Sequence, residues 1–273
     1  MRRTPGLDVA PNLNPGWIIP QWPAPAHVHA VCTTRAGGAS NPPFDSMNLG
    51  DHVGDDVRHV AQNRSRLRDA IHATPVFLSQ VHGVQVVEFD NVTPCGSDLQ
   101  ADACITRRPG VACTIMVADC LPVLFTNRQG SVVGAAHAGW RGLAGGAGRD
   151  KSGVLEAICR RFRPLAAHDM LVWLGPCIGP DEFEVGEDVR NAFVAQDALA
   201  QTMFKPHGPG KWLADLAGLA RLRLRAAGIE SIYGNDGSTP WCTVSNPSRF
   251  FSHRRDALAL GGSGRMAACI WLA

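Results

Sequence analysis

Between residues 101 and 137 the chain alternates short apolar runs with turn residues so quickly that a sheet is the one regular structure that accommodates it. Residues 103–106, 111–118, 122–126 and 131–136 read as strands, with Arg108-Pro109-Gly110 and Asn127-Arg128-Gln129-Gly130 as turns between them. Each run is too short for an ordinary helix, and the succession is expected to form the centre of a sheet.

The flanking sequence adds helices to this sheet. Residues 27–35 and 75–90 look extended. Between them Asp55 or Asp56 can cap a helix whose apolar stripe is Val57, Val60, Leu67 and Ile71. A glycine-rich segment, 139–148, leads into a helix through Val154, Leu155, Ile158 and Phe162, ended by Pro164. A strand at 171–174, helices at 186–195 and 213–227, the second ended at Gly228, and a closing strand at 266–272 complete the reading. Strands interspersed with helices imply an α/β or α+β fold. With no internal repeat, heptad run or Pro/Ser linker, 1–273 is expected to be a single domain, residues 1–25 being an N-terminal extension.

Composition narrows the partners. Lys and Arg number 26 against 24 for Asp and Glu, so the formal charge of +2 advertises no nucleic-acid or anionic-membrane surface. The most apolar stretch, 111–125, carries Asp119 and Pro122 and falls short of the ~20 residues that a membrane helix needs. No apolar run of signal-peptide length follows Arg2-Arg3, so export by that route is not expected. Nine cysteines, scattered and without a C-x-x-C pair, fit a reducing cytoplasm, and Cys113, Cys159 and Cys269 sit in apolar company as small core residues.

Three segments place a soft or borderline metal ligand beside a strand end: Ser79-Gln80-Val81-His82-Gly83, Val117-Ala118-Asp119-Cys120-Leu121-Pro122 and Ala136-His137-Ala138-Gly139-Trp140-Arg141-Gly142. His82, Cys120 and His137 make an N₂S set, and zinc held by three protein ligands keeps a fourth position for water or substrate. The same atoms permit Cys120 as a nucleophile with His137 as its base. They also permit a core thiol beside two histidines that satisfy backbone groups. Separations of 38 and 17 residues follow no local metal-binding pattern, so spacing leaves all three readings open. The glycine-rich segment is not a nucleotide-triphosphate loop, because Asp150 precedes Lys151, and it holds no G-x-G-x-x-G register. Backbone amides at the following helix start, with Arg141 as side-chain partner, are still a candidate anion site.

Seven blocks in order resemble the YfiH or laccase-domain family: Thr33-Thr34-Arg35-Ala36-Gly37-Gly38, Asn48-Leu49-Gly50 with His52-Val53-Gly54-Asp55, Gln80-Val81-His82-Gly83, Ala118-Asp119-Cys120-Leu121-Pro122, His137-Ala138-Gly139-Trp140-Arg141-Gly142, Gly175-Pro176-Cys177-Ile178-Gly179 and Phe250-Phe251-Ser252-His253-Arg254-Arg255-Asp256. The resemblance implies a single-domain α/β/β/α layered fold with mixed sheets and a zinc held by His82, Cys120 and His137. It implies phosphorolysis of adenosine, inosine and methylthioadenosine to base plus ribose 1-phosphate or its methylthio form, and deamination of adenosine. His253 departs from the family pattern, which has Tyr at that place.

Phosphorolysis requires a site for a dianion, and a bidentate guanidinium suits it. Arg141 and Arg35 are the first candidates and Arg254 and Arg255 the next; with Asn48 and Gln80 they make up the expected substrate-binding set. Asp119 beside Cys120 is a candidate proton shuttle for deamination, though one residue along a strand points to the opposite face. The expected partners are purine nucleosides and phosphate, with no nucleic acid and no membrane, for a monomer or small homo-oligomer. An alternative is amide hydrolysis editing peptidoglycan precursors, by zinc or by Cys120. A copper polyphenol oxidase would need several H-x-H pairs, and among ten histidines only His27-Val28-His29 forms one, which ranks copper below zinc.

Overall fold

The structure is a computed structural model and describes residues 13–91, 99–145, 152–162 and 166–273. In chain order the elements begin with β1 (Val28–Cys32), α1 (Val57–Ile71), β2 (Thr74–Val76) and β3 (Val86–Glu88). The predicted strand-rich centre follows as β4 (Ala103–Thr106), β5 (Val111–Val117), β6 (Leu121–Asn127) and β7 (Val133–Ala138). After it come α2 (Trp140–Ala144), α3 (Val154–Arg161), β8 (Met170–Leu174), β9 (Glu184–Gly186), α4 (Glu187–Val194), β10 (Phe204–Pro206), β11 (Lys211–Ala214), α5 (Leu216–Ala226), β12 (Ile232–Gly234), α6 (His253–Leu260) and β13 (Met266–Leu272).

Two sheets stack face to face. One has the order β12-β8-β6-β7-β4-β3 and the other β1-β13-β5-β2; a small third sheet is β10-β11-β9. The large sheets are mixed, with β12/β8, β3/β4 and β2/β5 parallel and the remaining pairs antiparallel.

Side-chain alternation, period two along a strand, sorts residues into layers. On β5, Cys113, Ile115 and Val117 face the other sheet and meet Cys104, Leu124, Val133 and Ala135, whereas Ala112 faces outward with Ala267 and Cys269 to pack on Leu67, Ala70 and Ile71 of α1. On the far side Ile105, Val123, Phe125 and Ala136 pack under Leu155 and Ile158 of α3 and Leu219 and Ala220 of α5. The order is therefore helix, sheet, sheet, helices, the layering expected from the resemblance. Leu124 is fully buried between the sheets, and truncating such a leucine to alanine costs ~2–5 kcal/mol.

Local signals explain the termini. The Asp56 side chain accepts the backbone N–H of Arg58 and caps α1, Asp215 accepts from Gly218 to cap α5, and Ser252 accepts from Arg255 to cap α6. One stripe residue differs from expectation: Val57, the first residue of α1, is 77% exposed. Asn63 takes a buried place on that helix instead, donating to Ser40 Oγ and to the carbonyls of Ser46 and Asn48. The extended stretch 75–90 is two short strands in different sheets, β2 and β3, so the chain crosses between layers there.

Cys113 and Cys269 are fully buried core residues, and burial pushes the Cys269 thiol up to about 12, while Cys159 is only partly covered. Pro164, residues 146–151 at the end of and beyond the glycine-rich segment, and residues 1–12 of the expected extension lie outside the described residues. Trp17 packs on the outer face of the four-stranded sheet and Ile18 bridges to Cys32. Among the described residues no helix is long and apolar enough to cross a membrane.

Candidate metal centre and its cavity

Antiparallel pairing of β6 with β7 sets Leu121 opposite Ala138 and Pro122 opposite His137, so Cys120, just ahead of β6, meets His137 near the end of β7. Seventeen residues of sequence collapse to neighbouring strand ends. His82 arrives from the crossing between the layers, on a backbone with φ of 60°. Its Nε2 lies 3.8 Å from the Cys120 Sγ, and its ring meets that of His137 edge-on at 4.7 Å. One donor atom from each of the three residues lies within 4.8 Å of the others, the only such group of three among the described residues.

A carboxylate organises this set. Asp102, fully buried just before β4, accepts backbone N–H bonds from Val81, His82 and Gly83 at 3.2, 2.8 and 2.6 Å. It also accepts the Nδ1–H of His137 at 2.8 Å, and its own carbonyl accepts the His137 N–H at 2.7 Å. With Nδ1 as donor, the Nε2 lone pair of His137 is left for a ligand, the carboxylate–histidine relation of metal sites. Asp102 escaped sequence reading, although a lone acid within Ala101-Asp102-Ala103-Cys104-Ile105 was a signal.

Without a bound ion Cys120 and His137 form a thiolate–imidazolium pair, whose Nε2 proton a metal ion would displace. Burial opposes ionisation of Cys120, but His137 and His82 outweigh it and bring the thiol down to about 6. Burial likewise opposes the His137 cation, and Cys120 and Asp102 outweigh it, raising the ring to about 9. Burial works against the Asp102 carboxylate too, yet its His137 and backbone donors hold it below the usual range. Two imidazoles and a thiolate, converging with one tautomer fixed, fit a borderline metal ion such as zinc. Gly139 is required here: a Cβ would stand 2.8 Å from His82 Cδ2 and 3.0 Å from Cys120 Sγ.

The three donors open onto a cavity of about 380 Å³. Met116, Trp140, Ile178, Phe183 and Leu216 give it apolar walls; Gln80, Arg141 and Arg254 of the expected substrate set line it, as do His253 and two residues not anticipated, His52 and Arg265. Arg141 is exposed with its guanidinium 4.5 Å over the Trp140 ring, and Arg254 donates from its side chain to the Glu184 carbonyl. The Gln80 amide is engaged at both ends by the Met116 main chain, at 2.8 Å each.

Three expected substrate residues do not line the cavity. Arg35 donates to the Asp45 and Pro247 carbonyls and pairs with the Asp45 carboxylate. Arg255 pairs with Asp256 and donates to the carbonyls of Thr243, Val244 and Phe250. Asn48 is buried, and its Oδ1 accepts from the N–H groups of Gly50 and Arg265. Asp119 does line the cavity, but its carboxylate accepts the Thr243 hydroxyl at 2.5 Å and the Arg254 N–H at 2.6 Å.

The family model described as multi-copper polyphenol oxidoreductase laccase matches residues 29–273. The chain belongs to this YfiH, or laccase-domain, family. Two relatives are proteins named purine nucleoside phosphorylase: PA4543 of Pseudomonas aeruginosa, 50% identical across 94% of this chain and 98% of its own, and YfiH of Escherichia coli, 49% identical across 93% and 98%. The crystal structure of Neisseria meningitidis protein NMB0706 superposes with a TM-score of 0.85 at 43% identity, covering 94% of this chain and 99% of that one.

The YfiH-family blocks can now be sorted by what they do here. Those carrying His82, Cys120 and His137 converge at the cavity, and His253 stands exposed at its rim. Despite the laccase name, the H-x-H pair is remote from it: His27 contacts the Gly130 carbonyl at 2.9 Å, and His29 stacks on Trp271.

Proposed function

We propose that this chain is a zinc-dependent purine nucleoside phosphorylase that cleaves adenosine, inosine and methylthioadenosine and also deaminates adenosine. One observation carries the reading: the His82, Cys120 and His137 donors face a mostly apolar cavity of about 380 Å³ that is also lined by arginines. The phosphorylase names of relatives at 49 and 50% identity support it. The reading treats 1–273 as one domain, since residues from His52 to Arg265 contribute to one cavity.

In phosphorolysis a phosphate oxygen forms a bond to ribose C1′ while the bond from C1′ to the purine nitrogen breaks, its electron pair leaving with the base. His82, Cys120 and His137 would hold zinc, which supplies Lewis acidity and a water of lowered pKa. Trp140 and Phe183, each with an arginine over its ring, give the cavity aromatic walls for a purine to pack against, and the apolar lining restricts bulk water. Cationic guanidinium groups at the cavity balance the dianion. Deamination exchanges the exocyclic amine of adenosine for a water oxygen and releases ammonia. The ligand set favours zinc over a copper cluster, because the remaining H-x-H pair is committed to Gly130 and Trp271.

The test incubates purified protein with each nucleoside, with and without phosphate, and separates the products. Ribose 1-phosphate in equal amount to free base is expected, together with inosine from adenosine, and both should vanish in Cys120→Ala. Free base without ribose 1-phosphate would refute phosphorolysis.

A second reading rests on Cys120, its thiol brought down to about 6 by His137 and His82 within one cluster: a Cys-His amide hydrolase, with His137 as the base, acting on peptidoglycan precursors. Chelation separates the two, since a thiol hydrolase keeps its activity without metal and loses it to alkylation.

A further inference from the structure

Arg265 immediately precedes β13 and is half-buried in the cavity wall. Its Nη1 donates to the carbonyls of Ser263 and Gly264 at 2.8 and 3.1 Å. Nε and Nη2, the adjacent donors that match two oxygens of one anion, have no acceptor among the described residues, and neither is a buried orphan. No carboxylate of the described residues forms an ion pair with it. Burial works against its charge, and Cys120 and Asp119 offset this only in part. A half-buried cation without a paired carboxylate is costly unless an anion completes it.

The segment that holds Arg265 is Asn48-Leu49-Gly50. Asn48 Oδ1 accepts the Arg265 N–H at 2.8 Å, and the Leu49 N–H donates to the Arg265 carbonyl at 3.0 Å. Asn48 Nδ2 is itself fixed on the Asp55 carboxylate at 2.9 Å. Gly50 lies against the side chain: a Cβ there would come within 2.7 Å of Arg265 Cγ. One residue type at position 50 therefore lets the arm lie where it does.

We propose that Arg265 is the anion-receiving cation of the cavity, taking inorganic phosphate through Nε and Nη2, with Asn48 and Gly50 as its positioning residues. The assignment of phosphate as a co-substrate rests on the phosphorylase reading. Arg141 and Arg254, at the exposed rim, then guide the anion inward rather than hold it. Asn48, outside the cavity, acts through Arg265.

The experiment measures ribose 1-phosphate formation against phosphate concentration at saturating inosine for the wild type, Arg265→Gln, Arg265→Lys and Gly50→Ala. The apparent phosphate KM should rise by about tenfold or more in Arg265→Gln and by a smaller factor in the other two, as expected where a forked charge-assisted pair is lost or bent. Inosine KM and metal content should stay within about twofold of the wild type, a split that general loss of structure would not give. In parallel, broadening of the inorganic phosphate ³¹P line by the protein reports binding without turnover, and it should be lost in Arg265→Gln. Absence of ribose 1-phosphate from the wild type, with ³¹P broadening that depends on Arg265, would sink the phosphorylase reading and keep the anion site. Unchanged phosphate KM and unchanged broadening in Arg265→Lys and Gly50→Ala, variants that retain the charge or the side chain, would overturn the assignment even if Arg265→Gln does not fold.

Discussion

The Asp102 carboxylate accepts the His137 ring N–H at 2.8 Å and three consecutive backbone N–H groups of the loop that carries His82. One side chain thus sets the tautomer of one metal-ligand candidate and the backbone of another. The first prediction follows from it. Asp102→Asn must turn an N–H₂ toward at least one donor, so metal affinity should fall about 10- to 100-fold, as for other lost ligand-orienting partners. The folded state should lose ~1–3 kcal/mol for the unsatisfied buried donor. Competition with a chromogenic chelator and a urea titration measure the two effects. Unaltered metal affinity would detach Asp102 from the site.

Gly139→Ala tests the ligand cluster from its backbone side. Its φ of −67° suits alanine, so the added Cβ acts by crowding His82 and Cys120 and not by backbone strain. Purified wild type should carry about one zinc per chain, as a three-ligand site does. The variant should hold much less at a nearly unchanged melting temperature, and a Cys120→Ala, His137→Ala double variant none. Elemental analysis reads all three, and full occupancy in the double variant would remove the ligand assignment.

Asp119 is bound on both oxygens, by the Thr243 hydroxyl and the Arg254 N–H, which ties the start of β6 to the start of α6. A carboxylate so engaged is expected to brace the wall rather than shuttle a proton. Asp119→Asn should therefore lower stability by ~1–3 kcal/mol while inosine release from adenosine keeps its pH profile. Loss of deamination in a variant of wild-type melting temperature would restore the shuttle role.

Asp90, which does not line the cavity, supplies a pH-dependent contribution. Burial opposes its charge, but the Arg107 backbone and side chain and the Thr106 hydroxyl outweigh this and hold the carboxyl below its usual value. A depressed carboxyl stabilises the fold fully above its unfolded pKa, and the contribution disappears as pH falls through the lower folded value. The urea midpoint gap between wild type and Asp90→Asn should hold constant from about pH 8 to 5 and shrink below about pH 4. A gap that widens on acidification would reverse the sign and refute the assignment.

The apolar rhythm of 103–136 determined the sheet centre, and the Asp56 cap and the Val60, Leu67 and Ile71 spacing determined α1, because both are local patterns of burial and capping. The motif blocks brought His82, Cys120 and His137 forward together. Three-residue strands such as β9, β10 and β12 were not legible, since three residues carry no period. Nor was the crossing within 75–90, where β2 and β3 join different sheets and leave His82 between them. The convergence of the ligands, the part of Asp102, and the contact of Asn48 with Arg265 across 217 residues of chain were decided only by tertiary structure. Hydrogen bonds across strands and layers depend on register, and register is set by which faces bury together, not by neighbours in sequence.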